Sequence, residues 1–400
     1  MRRALFFPYP GGLGPVINCC AIADELAKRD WTVALVSSGT NRSLIQDNIP
    51  NAVIYETTGP SPRLGSGESS APSFRTMRDF DDFAFHFQFD DPKWVATTLE
   101  DQLRAIRIFQ PDILVGSWTF FTGVAGEISG VPVVQIFQAP MLSSMRGFRW
   151  WDREPLSSTS RCVSSINKVL RDYHITEISC VEDLTSKGDL FIIASLPEID
   201  PIPADFPSAH HVGHLTWLNK TERELPEWLL KLESDRHLVY AYDGGLRYGT
   251  RILEELTNVF GETDSLVVFS VGPDAKSLPS CPSNFRVERF VPAYHTTKRS
   301  QLVVTHSGQG TDICCLLNGV PSIMIPTNSE REYYAQRVQA LGAGKSINFD
   351  LLSRETFAKA YEAIAGDESF RTIARAAGTR AKALGGTERA AELIEQFVGC

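Results

Sequence analysis

Short apolar segments alternate with longer amphipathic segments along most of this 400-residue chain. Near the N-terminus, ALFFPYP is followed by VINCCAIADELAKR and then by TVALVSS. Strands and helices that alternate in this way pair as a parallel sheet, because each helix returns the chain to the edge where the previous strand began. The alternation stops at a proline-rich stretch, LPEIDPIPADFPSAHHVGHL, and starts again at HLVYAYDGG. The pattern predicts two doubly wound α/β domains in tandem.

The proline-rich stretch sets the predicted domain boundaries, because several prolines without periodicity are typical of an interdomain linker. We expect an N-terminal Rossmann-like domain over residues 1–200, a linker over 201–217 and a C-terminal Rossmann-like domain over 218–378. Residues 379–400 are assigned to a C-terminal helix, with packing against the N-terminal domain as one option. The two domains are expected to face each other across a cleft.

Charge and hydropathy exclude several classes of function. The formal net charge is −9, so the chain offers no basic surface to nucleic acid. No stretch approaches ~18 uninterrupted apolar residues, and Pro8 and Pro10 interrupt the N-terminal apolar run. We therefore expect neither a membrane span nor secretion, and a cytoplasmic location. The eight cysteines form no C-x-x-C pair, so zinc and redox roles are disfavoured.

The densest motif is a glycine-rich turn between an apolar strand and a helix, within LVVTHSGQGTDICCLLNGVPSIMIP (302–326). Such a turn presents backbone N–H groups and the positive end of a helix dipole at the carboxyl edge of a parallel sheet, where a phosphate can bind. Glycine is needed because a Cβ would hold the anion away. His306, at the strand end, can donate a hydrogen bond to the same anion. A structural histidine before the turn is an equal alternative.

Spacing excludes two other phosphate-binding motifs. A dinucleotide fingerprint after the first strand needs a glycine three residues beyond Gly14, where Ile17 stands. A Walker loop ending at Lys345 needs a glycine at position 339, where the chain has Gln339. The chain therefore carries neither a nicotinamide site nor a P-loop.

The run THSGQGT…LLNGVPSIMIPTNSEREYYAQRVQALGAG resembles the donor-binding signature of nucleotide-sugar-dependent glycosyltransferases of the glycosyltransferase-B fold, in particular bacterial natural-product and macrolide-type enzymes. That signature reads roughly H-G-G-x-G-T, then G-V-P, a proline, an acidic pair and a helix ending in L-G-A-G. The resemblance extends over nearly the whole chain. It implies metal-independent transfer of a sugar from a UDP- or dTDP-sugar to a small natural-product-like acceptor, with no further cofactor. The implied partners are that nucleotide sugar and that acceptor, and a homodimer is left open.

The resemblance also implies which residues bind the donor. The diphosphate would lie on the turn His306, Ser307, Gly308, Gln309, Gly310 and Thr311, the base against Phe290 and Val291, and the sugar hydroxyls against Glu330, Arg331 and Glu332, with Gly244 in the loop after the first strand of the second domain. An acidic residue beside Gly244, Asp243, would repel a diphosphate, so we expect it to face elsewhere. For EREYYAQR, the alternative is a solvated helix start whose acidic residues suit the helix dipole.

The acceptor side departs from the family pattern. Inverting members use a histidine in the turn after the first strand as general base, oriented by an aspartate. Here that turn contains Gly12 and Gly14 and has Pro15 at the histidine's place, while Ser117 stands where an aspartate is common. These four residues are assigned to the acceptor side, and the usual base dyad is absent from the sequence.

Three explanations for the missing dyad stay open. The base could come from an aromatic insertion at about 57–92, where Asp81, Asp82 and His86 cluster. That insertion either lines an apolar pocket or is a surface loop capped by a buried helix. The acceptor could instead be an amine, acid or phenol that ionises readily, or the chain could be a catalytically inactive auxiliary protein. An epimerase or hydrolase acting on the nucleotide sugar is a further alternative.

Overall fold

The computed structural model describes residues 1–9, 12–37, 41–58, 79–142, 145, 160–233, 235–242, 249–272 and 278–399. The chain divides into two compact units, which we call the first unit (Met1–Trp217 with Leu384–Cys400) and the second unit (Leu218–Ala383). Each unit contains one sheet in which every described strand pair is parallel. The predicted pair of doubly wound α/β domains is confirmed.

The first unit follows the alternation seen in the sequence. Its elements are β1 (Arg3–Pro8), α1 (Leu13–Lys28), β2 (Thr32–Val36), α2 (Asn41–Asn48), β3 (Val53–Tyr55), α3 (Phe80–His86), α4 (Pro92–Phe109), β4 (Ile113–Ser117), α5 (Thr122–Ser129), β5 (Val133–Phe137), a 3-10 turn (Ala139–Met141), α6 (Val163–Asp172), α7 (Glu182–Thr185), β6 (Leu190–Ile193) and β7 (Ala209–His211).

The second unit repeats the plan with one strand fewer. Its elements are α8 (Lys220–Arg223), α9 (Glu227–Leu230), β8 (Leu238–Tyr242), α10 (Gly249–Phe260), β9 (Leu266–Ser270), β10 (Phe285–Glu288), α11 (Ala293–Arg299), β11 (Leu302–Thr305), α12 (Gln309–Asn318), β12 (Ser322–Met324), α13 (Ser329–Leu341), β13 (Gly344–Ser346), a 3-10 turn (Phe349–Leu351), α14 (Arg354–Ala365) and α15 (Ser369–Ala383). The final helix, α16 (Gly386–Gly399), belongs to the first unit.

Strand order places one switch point in each sheet. The orders are β3-β2-β1-β4-β5-β6-β7 and β10-β9-β8-β11-β12-β13. The chain reverses its direction of sheet growth between β1 and β4 in the first unit, and between β8 and β11 in the second. Ligands of doubly wound folds bind outside the carboxyl ends of the strands at such points. The turns after β1 and β11 therefore lie where a ligand is expected.

Two parts of the chain outside the main alternation join the first unit. Within residues 201–217, for which the sequence predicts a linker, β7 pairs with β6 and extends the sheet. The final helix α16 packs against α1, and Ala390, Ala391 and Ile394 share one hydrophobic core with it. Glu395 of α16 accepts a hydrogen bond from Arg29 at 3.0 Å, just beyond the end of α1.

Candidate functional site

The turn from β11 into α12 begins with His306 and runs into the first residues of the helix. Gly308 is the N-cap of α12 and, as a glycine, makes no side-chain cap hydrogen bond. Backbone N–H groups of an uncapped first turn are available to a ligand, and the helix dipole favours an anion there. A Cβ added to Gly310 would meet no heavy atom of the described residues within 4 Å. Among the residues that the structure describes, none blocks an anionic group at the start of α12.

The imidazole of His306 lies under this turn and is only 7% exposed. Its ring lies 5.3 Å from the ring of Tyr242, at the end of β8. Burial, together with the positive charge of Arg331, lowers the pKa of His306 well below its usual value. A hydrogen bond with the backbone of Tyr242 acts against this shift. The ring is neutral at neutral pH and carries a single N–H rather than a full positive charge. A Cβ on Gly308 would stand 3.1 Å from its Nε2, so glycine leaves this nitrogen uncrowded.

Ser307 and Asp312 form a buried pair across the turn, and both are 0% exposed. Ser307 has a φ of 68°, in the left-handed region that residues with a Cβ rarely adopt. Its hydroxyl donates a hydrogen bond to Asp312 Oδ2, and its backbone N–H donates to Thr305 Oγ1 at 3.1 Å. Sequence reasoning named Ser307 but missed Asp312, although an acidic residue inside the apolar run DICCLL was a signal.

The segment predicted to contact the base leads into α11. Val291 is buried, whereas Phe290 is 44% exposed. The N-cap of α11 is Pro292, whose ring has no hydrogen-bond acceptor that could cap the helix. Glu222, from the distant helix α8, supplies the cap: its Oε1 accepts from the backbone N–H of Tyr294 at 3.1 Å. Glu222 therefore holds the helix that follows Phe290 and Val291, and no local sequence pattern could have revealed it.

The acidic segment forms the first turn of α13. Asn328 is its N-cap and accepts from the backbone N–H of Arg331 at 2.9 Å. Glu330 and Glu332 lie in the first turn, where the helix dipole favours acidic residues. This agrees with the alternative that EREYYAQR is the start of a helix. The charge of Arg331 nevertheless acts on His306, which places this helix start near the turn. Gly244, with Asp243, lies outside the described residues.

The turn after β1 has the same backbone plan as the turn from β11 into α12, but its side chains differ. Gly12 is the N-cap of α1 without a side-chain cap, and a Cβ on Gly14 would meet none of the described residues within 4 Å. Pro15 lies in the first turn of the helix. Ser117, fully buried at the end of β4, accepts from the backbone N–H of Tyr9 at 2.9 Å. Its hydroxyl has no hydrogen-bond partner among the described residues.

Beside this turn lies a cavity of about 90 Å³ in the first unit. Its walls come from the carboxyl ends of β1, β2 and β4, from α4 and from the aromatic insertion: Phe7, Pro8, Tyr9, Val36, Ser37, Thr57, Phe87, Phe89, Thr98, Asp101, Gln102, Trp118, Thr119, Phe120 and Phe121. Phe87 packs edge-on to Tyr9 with ring centroids 4.5 Å apart. Of the two interpretations of the insertion, the described part supports the pocket lining. We call this space the aromatic cavity.

Comparisons with known proteins agree with this geometry. Residues 251–395 match the family model described as Erythromycin biosynthesis protein CIII-like, C-terminal domain. The chain is 27% identical over 335 residues to 4'-demethylrebeccamycin synthase of Lentzea aerocolonigenes, covering 76% of this chain and 78% of the relative. It is 25% identical over 394 residues to a PGL/p-HBAD biosynthesis rhamnosyltransferase of Mycobacterium bovis, covering 93% of this chain and 83% of the relative.

Solved structures match over the whole length. The glycosyltransferase of kitacinnamycin superposes with a TM-score of 0.74 at 18% identity, over 99% of this chain and 98% of that chain. The chain has the glycosyltransferase-B fold. The spinosyn rhamnosyltransferase SpnG complexed with spinosyn aglycone gives a TM-score of 0.71 at 18% identity, over 99% of this chain and 100% of that chain. VinC in complex with dTDP gives 0.71 at 19% identity, over 99% of both chains.

The resemblance to natural-product glycosyltransferases found in the sequence is confirmed, and the chain is a glycosyltransferase homologue. Among its described residues, none of the helices combines the length and apolar character needed to cross a membrane. In the same described part, no three His, Cys, Asp or Glu side chains group as metal ligands would.

In this glycosyltransferase homologue, the carboxylates of the aromatic insertion have structural contacts. Asp82 forms an ion pair with Arg161. Asp81 accepts hydrogen bonds from Ser160 and from the backbone N–H of Arg161, the latter at 3.0 Å. These contacts tie α3 to the start of α6 and account for both acidic residues without catalysis. A catalytic role of Asp82, and of His86 in the last turn of α3, stays a prediction.

Proposed function

We propose that this protein transfers a sugar from a UDP- or dTDP-sugar to a small natural-product-like acceptor, without a metal or a further cofactor. The observation that carries the proposal is the start of α12, where the N-cap is a glycine, His306 is buried beside it and no described residue crowds Gly310. A diphosphate leaving group needs hydrogen-bond donors fixed before the reaction, because charge develops on it as the sugar bond breaks.

The donor side offers three kinds of contact. Backbone N–H groups of the first turn of α12 and the neutral imidazole of His306 would bind the diphosphate. Arg331, whose charge acts on His306, would add a positive charge next to that group. Glu330 and Glu332 would accept hydrogen bonds from sugar hydroxyls, and Phe290 with Val291 would contact the base. The similarity to VinC, solved with dTDP, supports a nucleotide diphosphate here.

The aromatic cavity supports an apolar acceptor. It lies beside the predicted acceptor residues, since a Cβ on Gly12 would stand 3.9 Å from the ring of Tyr9, one of its lining residues. Among the described residues, Gln102 Oε1 has no hydrogen-bond partner, so this wall can accept one bond from an acceptor. The similarity to SpnG, solved with spinosyn aglycone, supports this kind of ligand. A cavity of about 90 Å³ accommodates part of such a molecule.

Pro15 and Ser117 supply no general base. We therefore attribute the rate acceleration of sugar transfer to positioning of the substrates and to stabilisation of the leaving diphosphate. This favours an acceptor that ionises readily, such as a phenol, an acid or an amine. The net charge of −9 argues against nucleic acid as a partner. We place the reaction in the cytoplasm and leave a homodimer open.

The test is a thermal-shift titration with UDP and with dTDP, followed by assays of UDP- and dTDP-sugars against a panel of phenols, amines and alcohols. We expect a nucleotide-dependent rise in the melting temperature that His306→Ala abolishes, and turnover with phenols before alcohols. No shift with either nucleotide, together with unchanged behaviour of His306→Ala, would remove the proposal.

A second candidate is a catalytically inactive auxiliary protein of the same fold, which the absence of a histidine at Pro15 favours. It predicts nucleotide binding without turnover of any acceptor. Detection of a glycosylated product would eliminate it. Release of free sugar or of an epimer without acceptor would instead indicate a hydrolase or an epimerase.

A further inference from the structure

We propose that Asp312 is a positioning residue for the donor site: its side chain holds Ser307 in the left-handed conformation that directs the turn toward the diphosphate. The inference rests on the proposed function, because it assigns a residue to the same site. Asp312 would not touch the nucleotide. It would act through the backbone of the turn.

The first step of the argument is the backbone of Ser307. At a φ of 68°, its Cβ is crowded against its own backbone, and glycine would adopt this conformation more readily. A serine stays there only where the surrounding structure holds it. Its side chain is fully buried, so water does not supply the missing contact.

The second step is the side chain that holds it. Asp312 Oδ2 accepts the hydrogen bond of the Ser307 hydroxyl, and this bond joins Ser307 to the first turn of α12. Among the described residues, Asp312 Oδ1 has no hydrogen-bond partner. Within the described part of the chain, the hydrogen bonding of this buried carboxyl is therefore directed to Ser307.

The third step is the charge. Burial raises the pKa of Asp312 to about 8, and the carboxylate of Glu330 acts in the same direction, against the effect of the Ser307 hydrogen bond. At neutral pH most molecules therefore carry a neutral carboxyl group at this position. A neutral acid can hold the turn close to a diphosphate without repelling it.

The fourth step is the position of Ser307 between the two groups that would bind the anion. His306 precedes it and Gly308, the N-cap of α12, follows it. Rotation about the backbone of Ser307 changes the placement of the imidazole relative to the first N–H groups of the helix. The position where a Cβ of Gly308 would stand is only 3.1 Å from His306 Nε2, so a small rotation disturbs both groups together.

The experiment is a double-mutant cycle with four variants: Asp312→Ala, Asp312→Asn, Ser307→Gly and Ser307→Gly/Asp312→Ala. For each, the Kd for UDP and dTDP is measured by calorimetry, and the midpoint of urea unfolding is measured without ligand. Ser353→Ala is the matched control, because it removes the capping box of α14 in the same unit, away from the turn.

We expect Asp312→Ala to raise the Kd of the better-bound nucleotide about tenfold, since the turn loses the hydrogen bond that holds it. Asp312→Asn keeps an acceptor oxygen and should stay within about twofold of the wild type. Ser307→Gly should bind normally, because glycine adopts the turn unaided, and in this background Asp312→Ala should change the Kd less than about twofold. Ser353→Ala should lower the unfolding midpoint and leave the Kd unchanged.

The outcomes separate the two proposals. A wild-type protein that binds neither nucleotide overturns the proposed function and this inference with it. If wild type and Asp312→Ala bind the nucleotide equally well, the inference about Asp312 is overturned, whereas the proposed function is not. A full loss of affinity in the double variant also overturns it, because the effect would then not pass through Ser307. If Asp312→Ala does not fold, Ser307→Ala removes the same hydrogen bond from the other side and keeps the Cβ, so it should raise the Kd about tenfold, and unchanged binding by it overturns the inference.

Discussion

The turn after β1 in the first unit and the turn after β11 in the second both lead from a parallel strand into a helix with a glycine N-cap and no side-chain cap. Their surroundings differ. The first has Pro15 in its helix and aromatic rings beside it, whereas the second has a buried imidazole, a buried carboxyl group and a nearby guanidinium. The same backbone plan therefore supports an apolar cavity in one unit and a polar, anion-compatible turn in the other. Side chains from neighbouring elements, rather than the fold, decide which ligand each turn suits.

The largest expected effect concerns Asp312, the buried acid of the second turn. The pKa of Asp312 is about 8 in the folded chain, against about 3.9 for an unfolded aspartate. Between these values the folded state keeps a proton that the unfolded state has lost, so the free energy of unfolding falls as the pH rises. The slope reaches about 1.4 kcal/mol per pH unit, and the contribution is lost as the pH passes the folded pKa.

This prediction is checked by urea unfolding of the wild type and of Asp312→Asn from about pH 5 to about pH 8. The difference between the two isolates this group from other titrating residues. We expect the wild type to lose stability relative to the variant as the pH rises. Parallel curves would show that Asp312 does not keep its proton in the folded chain over this pH range.

The next effect concerns the rings around the first turn. Phe87 is 7% exposed and packs on Tyr9 in the wall of the aromatic cavity. Phe87→Ala should lower the free energy of unfolding by about 3 kcal/mol, because the loss of the ring enlarges an existing cavity. Ile108→Ala is the control, since Ile108 is 61% exposed and should change little. Denaturant unfolding gives both values, and a fall below about 1 kcal/mol for Phe87→Ala would contradict the packing described.

His306→Ala tests the polar turn directly. Removal of a fixed hydrogen-bond donor to a developing charge lowers kcat about 100-fold, and we expect a loss of that size in kcat/KM for the donor. His210→Ala is the matched control, because His210 is a partly buried histidine of the first unit whose pKa is also lowered by burial. Initial rates at several donor concentrations provide the measurement. Equal losses for the two variants would remove the distinction between the turns.

The smallest effect compares two glycines with equal free space. At Gly310 and at Gly14, a Cβ would meet no atom of the described part of the chain within 4 Å. Gly310→Ala should weaken nucleotide binding about tenfold without lowering the melting temperature, because the methyl group enters the anion's space. Gly14→Ala should leave nucleotide binding unchanged. Calorimetric titration with UDP and dTDP decides between them, and equal Kd values would place the nucleotide away from the second turn.

The sequence was sufficient for the parts of the molecule that depend on local patterns. The alternation of strands and helices indicated two parallel sheets, because hydrophobic periodicity is read over a few turns of chain. The glycine-rich turn of residues 306–311 could also be recognised locally, because its residue types follow from the backbone conformation of the turn itself. The residues alone left two interpretations of His306 open, a phosphate ligand or a structural histidine. The resemblance to a known signature then supplied the donor-binding roles.

Contacts between distant residues required the tertiary structure. Glu222 caps α11 from a helix about 70 positions earlier in the chain, and the aromatic cavity joins β1, β2 and β4 to the insertion. The sequence by itself determined the two-domain plan and the turn, because short-range periodicity and turn chemistry depend on neighbouring residues. Only the tertiary structure decided that Asp312 holds Ser307 and that burial and Arg331 keep His306 neutral, because burial and long-range charge exist only once the chain has folded.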